Sequence, residues 1–214
     1  MPTTIDRPVA GRFTRAIVRL PAPNFAAGLT SVNLGAPDYA CALEQHAAYC
    51  QALAACGLQL TSLPPDERFP DSTFVEDAAI LTSHGALLTR PGAASRSGEV
   101  AAMRVALGAF YPQLAAITAP GTLDGGDICE ADGHFLIGIS ARTNAEGAAQ
   151  LARWLAAQGY TSACIDIRTT PGILHLKSGI AYLGDNRMVV IDALADHPAL
   201  AACELVRVAG GEEY

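Results

Sequence analysis

Three short stretches of this 214-residue sequence gather side chains that can move protons or hold a cation. The first is Asp71-Ser72-Thr73-Phe74-Val75-Glu76-Asp77, with three carboxylates in seven residues. The second, Leu123-Asp124-Gly125-Gly126-Asp127, sets two carboxylates around a glycine pair, and the third, Leu174-His175-Leu176-Lys177-Ser178-Gly179, sets a histidine between leucines. An unperturbed imidazole titrates near neutral pH, so His175 is the leading general acid/base, against the plainer reading of a satisfied core histidine. Carboxylates accept the planar fork of a guanidinium in bidentate pairs, so several acids with one imidazole point to a cationic, planar substrate. Taken singly, Asp71 reads as a solvated loop acid, and Asp124 and Asp127 as turn formers beside Gly125-Gly126. Glu76 and Asp77 precede the apolar run Ala78-Ala79-Ile80-Leu81, which draws them inward. A substrate with its own α-carboxylate would also need cations. Arg96 and Arg142 each precede a predicted helix, where free backbone N–H groups favour an anion, although ordinary surface charge explains them as well. His175 has no second histidine or cysteine at ligand spacing, so no metal or other cofactor is expected.

The elements that must position these residues repeat. Asp77, Asp127 and Lys177 stand at intervals of 50 residues, and each precedes the same pattern: a hairpin, a helix and a further strand. The predicted strands are 78–83 and 86–90, then 128–130 and 134–139, then 180–183 and 188–191. Asp132-Gly133 and Gly184-Asp185-Asn186 supply the positive-φ residues that tight hairpins need. Helices are predicted at about 98–110 and 144–158, with a short one near 198–203, and closing strands at 114–118, 162–167 and 205–208. The opening segment reads as an offset unit: a strand at 14–20, a helix at 39–56 capped by Asp38 and closed by Gly57, and a strand at 58–63. Such a period predicts stacked or radially arranged α/β repeats rather than a doubly wound sheet, with the repeat starts converging on one axial pocket.

Half of the residues are hydrophobic and 16% are charged, which excludes intrinsic disorder. The net charge of −7 disfavours a nucleic-acid partner and suits an enzyme that attracts a cation. No apolar run reaches the roughly 18 residues of a membrane span, and the N-terminal stretch from Met1 to Gly11 has no apolar core of a secretory leader. The six cysteines form no C-x-x-C pair and read as reduced, buried core residues of a cytoplasmic protein. His46 and Cys50, four apart on a predicted helix, have no second pair nearby and are read as a chance spacing.

The stretches 63–72, Phe74-Val75-Glu76-Asp77, Thr89-Arg90-Pro91-Gly92, Ser140-Ala141-Arg142-Thr143-Asn144 and 174–179 resemble bacterial dimethylarginine dimethylaminohydrolases, of the guanidino-modifying pentein superfamily. The resemblance runs from about Ala16 to the last residue. It implies an α/β propeller of ββαβ modules and hydrolysis of Nω-methylated arginine to citrulline and a methylamine through a cysteine-linked intermediate. It places His175 as general acid/base, Asp71 and Asp77 on the guanidinium and Glu76 toward the substrate's main-chain end. Arg96 and Arg142 fall on the α-carboxylate, and Leu29 in a lid loop. Asp124 stands where relatives carry a glutamate that orients the histidine. The family's nucleophilic cysteine follows a terminal Gly-Gly, whereas this sequence ends Gly210-Gly211-Glu212-Glu213-Tyr214 with no cysteine. The expectation is therefore one domain, 1–214, shortened at its C-terminus relative to the family. A binding-only fragment and an arginine or agmatine deiminase are the alternatives, and a homodimer is expected by analogy.

Overall fold

The computed structural model describes residues 13–30, 35–209 and 211. Its first unit is β1 (Arg15–Arg19), α1 (Tyr39–Ala55) and β2 (Gln59–Leu63), with β1 and β2 parallel. The Asp38 carboxylate accepts the Cys41 N–H and so caps α1, and Gly57 at φ +87° turns the chain out of it. Three full units follow. Strands β3 (Ala79–Leu81) and β4 (Ala86–Leu88) form an antiparallel hairpin, α2 (Glu99–Gly108) crosses over, and β5 (Leu114–Ala116) lies parallel to β4. Strands β6 (Ile128–Ala131) and β7 (His134–Ile139), helix α3 (Ala145–Ala156) and β8 (Thr161–Asp166) repeat that order, with Asn144 capping α3. The third unit has β9 (Ile180–Gly184), β10 (Arg187–Val190) and β11 (Glu204–Arg207), with the 3-10 turns Asp192–Leu194 and Pro198–Leu200 between β10 and β11, the second of them where the short helix is predicted. The fold is thus mixed α/β, four small sheets built on one repeated unit.

Each hydrophobic core lies across a boundary between successive units. Ile80 and Leu87 of the first full unit pack with Phe135, Ile137 and Leu151 of the second. Leu136 and Ile165 of the second pack with Ile180, Met188 and Val190 of the third. Leu88 and Met103 meet Ile17 and Leu63 of the opening unit. Each of these clusters thus draws apolar side chains from two neighbouring units, the arrangement in which stability is a sum of neighbour terms.

Two expectations are corrected here. The six cysteines are free, as expected, but only Cys129 is buried, while Cys41, Cys56 and Cys164 are exposed. Helix α1 has no buried residue because it covers only a two-stranded sheet, and Cys164 points away from the face that buries its neighbour Ile165. The alternation of leucines around His175 reads as strand-like, whereas the repeat starts are 3-10 turns: Val75–Ala78, Gly125–Asp127 and Leu176–Ser178. His175 therefore precedes a turn rather than sitting inside a strand.

Candidate active site

The three 3-10 turns touch in succession, the first against the second and the second against the third. That contact brings the acids and the histidine together. Asp77, Asp124 and His175 each present a donor atom within 4.8 Å of the others. The glycine pair makes the approach feasible: a Cβ on Gly126 would stand 2.8 Å from the His175 ring and 2.9 Å from Asp77 Oδ1.

Asp77 is buried and fully engaged. Its Oδ1 accepts the Gly126 N–H at 2.8 Å and its Oδ2 accepts Arg96 Nη1 at 2.6 Å. Arg96 is itself buried, with Nε and Nη2 on the two oxygens of Glu99 and further Nη2 contacts to the carbonyls of Asp71 and Phe74. The expectation that Arg96 offers its fork to an α-carboxylate is thereby corrected. The fork is spent on Glu99 and Asp77, because a buried cation must be neutralised where it stands. Burial alone would lower the Arg96 pKa, but the two carboxylates outweigh it and hold the guanidinium firmly charged. Glu99 is pushed up by burial, partly countered by Arg96.

Asp124 is buried, accepts the Gly92 N–H at 2.8 Å, and titrates above the usual carboxylate range, chiefly through burial and then through the nearby Asp77. For His175, burial works toward a lower pKa, yet Asp127 and the charges of Asp77 and Asp124 prevail and the imidazole titrates above its ordinary value. Its Nδ1 lies 3.4 Å from Asp127 Oδ1, a close ion contact too poorly aligned to count as a full hydrogen bond.

The remaining predicted residues surround this cluster. Both oxygens of the buried Asp71 accept the Leu29 N–H, at 3.0 and 3.2 Å, which ties the Leu29 segment to the acid loop. Glu76 does not join the buried acids; it is exposed and pairs with Lys177 at 2.5 Å. Arg142 is half-buried on a loop whose Ser140 hydroxyl accepts the Arg142 N–H, and its backbone packs so tightly on Gly92 that a Cβ there would collide with it. Sequence reasoning missed Glu99, which looks like an ordinary acid in a first helical turn, and left Asp127 open between a turn former and a member of the polar cluster. The sequence signal for Asp127 was its equivalence to Asp77 in the 50-residue repeat. Residues 31–34 of the lid segment, Gly210 and 212–214 lie outside the described residues.

Acids and an imidazole thus meet at the contact of the ββαβ-unit turns, and residues 66–207 match the arginine deiminase family. The chain is 45% identical over 203 residues to N(G),N(G)-dimethylarginine dimethylaminohydrolase of Pseudomonas aeruginosa, covering 94% of this chain and 79% of that protein. A solved cysteine-to-serine form of the Pseudomonas aeruginosa enzyme, complexed with citrulline, superposes with a TM-score of 0.88 over 92% of this chain and 76% of that one, at 45% identity. A dimethylarginine dimethylaminohydrolase in a histidine-to-glycine form, as its adduct with S-methyl-L-thiocitrulline, gives 0.90 over 94% and 79%, at 44% identity. This chain belongs to the dimethylarginine dimethylaminohydrolase family.

Proposed function

We propose that this chain binds an Nω-methylated arginine and supplies the cation-binding and proton-transfer side of its hydrolysis to citrulline and a methylamine. The observation that carries the reading is the cluster of Asp77, Asp124 and His175 in a chain so similar to a named dimethylarginine dimethylaminohydrolase. Asp77, paired with Arg96, accepts the guanidinium on one side, and Asp71 adds a second carboxylate beside it. Leu29 closes over the acid loop, and Glu76 with its partner Lys177 stands at the rim, toward the substrate's main-chain end. Arg142 takes the α-carboxylate. Arg96 acts mainly by holding Asp77, with one Nη1 hydrogen left over.

In the reaction a thiolate attacks the guanidinium carbon, and His175 gives its proton to the departing methylamine. It then takes a proton from the water that hydrolyses the thiouronium, and the thiolate is regenerated. The cysteine-to-serine form with citrulline and the histidine-to-glycine adduct support a cysteine and a histidine in these roles. Cys129 is a poor candidate here, since burial pushes its thiol up, away from the thiolate a nucleophile needs. The reading assigns the nucleophile to none of the six cysteines present, and it includes one domain, a cytoplasmic setting and a homodimer, the last checked by light scattering.

Calorimetric titration of the 214-residue chain tests the reading. Dimethylarginine should bind, and Asp77→Asn should weaken it roughly 10- to 100-fold, the value of a charged hydrogen bond. Unchanged binding in Asp77→Asn would overturn the assignment, and tighter binding of free L-arginine would favour a deiminase. Chelation should leave binding untouched.

A further inference from the structure

Asp127 is a heavily engaged carboxylate beside the site. It is fully buried, and its Oδ2 accepts the hydroxyls of Ser140 at 2.7 Å and Thr143 at 2.6 Å. Its Oδ1 accepts the Leu176 N–H at 3.1 Å and stands 3.4 Å from His175 Nδ1. That ring nitrogen is buried and has no other partner. Ser140 and Thr143 do not merely satisfy the acid. The Ser140 hydroxyl also accepts the N–H groups of Arg142 and Thr143, and Thr143 Oγ1 accepts the Asp124 N–H. One carboxylate thus anchors the turn after His175, the Arg142 loop and the backbone of Asp124.

We infer that Asp127 is the positioning residue for His175: it keeps a proton on Nδ1 and leaves Nε2 as the nitrogen that exchanges protons at the site. The family resemblance gives the orienting role to position 124, but Asp124 Oδ1 accepts the Gly92 N–H, and among the described residues it is Asp127 that makes an ion contact with Nδ1. The two hydroxyl donors fix Asp127 as an acceptor, because both can only donate to Oδ2 while Ser140 and Thr143 receive backbone N–H groups. An acceptor facing Nδ1 demands N–H there. The charged groups facing the ring are Asp127 and Asp124 from the second unit and Asp77 from the first, while Lys177 turns away to Glu76.

The inference rests on reading His175 as the acid/base, and its test is separate from ligand binding. Two-bond ¹⁵N–¹H spectra of the ring nitrogens in the 214-residue chain report the tautomer directly. Neutral His175 should carry its proton on Nδ1, and a wild-type Nε2–H form would overturn the proposal without any variant. In Asp127→Asn the hydroxyl donors hold the amide oxygen, the amide NH₂ faces Nδ1, and the tautomer should switch to Nε2–H with a lower titration. Asp124→Asn should keep the Nδ1–H form. If Asp127→Asn lowers the unfolding midpoint but leaves tautomer and titration as in wild type, Asp127 is only structural. Loss of dimethylarginine binding with an intact tautomer would count against the proposed function and not against this role.

Discussion

At the scale of single residues, the least legible feature was the inward turn of Arg96. A lone arginine before a helix reads as surface charge or an anion clamp; what fixes it instead is Glu99, one helical turn on, and Asp77, 19 residues earlier. Arg96→Ala would leave two buried carboxylates uncompensated, and the chain should lose about 3–5 kcal/mol, measured by urea unfolding. By contrast the acids themselves were legible, because three chemically loaded segments recur at one period. The pH dependence follows from His175. Its folded pKa lies above the unfolded value near 6.5, so its stabilisation is complete below that pH and is lost as pH rises through the folded value. Asp124, raised above 3.8, acts in the same sense and has its full effect only below that pH. The urea midpoint should fall between pH 6 and 9, and His175→Gln should flatten the fall. A discharged imidazole also stops repelling a guanidinium, so dimethylarginine should bind more tightly across the same interval.

At the scale of elements, strands and helices were readable to within about two residues because caps and hairpin turns carry local signals. Asn144 and Asp38 cap their helices, and Asp132, Gly133, Asp185 and Asn186 take the positive φ that their hairpins need. The 3-10 turns were not readable, since their geometry is imposed by the neighbouring unit rather than by their own residues. Gly147 in α3 sharpens the distinction. Alanine is the better helix former by about 1 kcal/mol. A Cβ at this position would nevertheless collide with the backbone of Thr122. Overpacking costs about 1–3 kcal/mol, so Gly147→Ala should lower the unfolding midpoint, and a rise would show that α3 can shift.

At the scale of the whole molecule, cores that straddle unit boundaries make neighbours interdependent. Leu151→Ala, at a fully buried position between the first and second full units, should cost about 2–5 kcal/mol. Hydrogen exchange should then quicken in β4 as well as β7, not in one unit alone. The surplus of negative charge should draw a cationic ligand, so association should slow as salt rises from low to physiological strength. One feature joins these scales: the carboxylate that opens a unit accepts an amide from the next, Asp77 from Gly126 and Asp127 from Leu176. The atoms read as chemical groups are therefore also the mortar of the assembly. In a saturation-mutagenesis screen, cellular abundance and ligand capture should fail together at Asp77, Gly126 and Asp127. At Arg142, which is only half-buried, and at Glu76, whose link to the third unit is an exposed ion pair, capture should fail while abundance holds. Drift that erased the reaction while sparing the protein would have to begin at the rim.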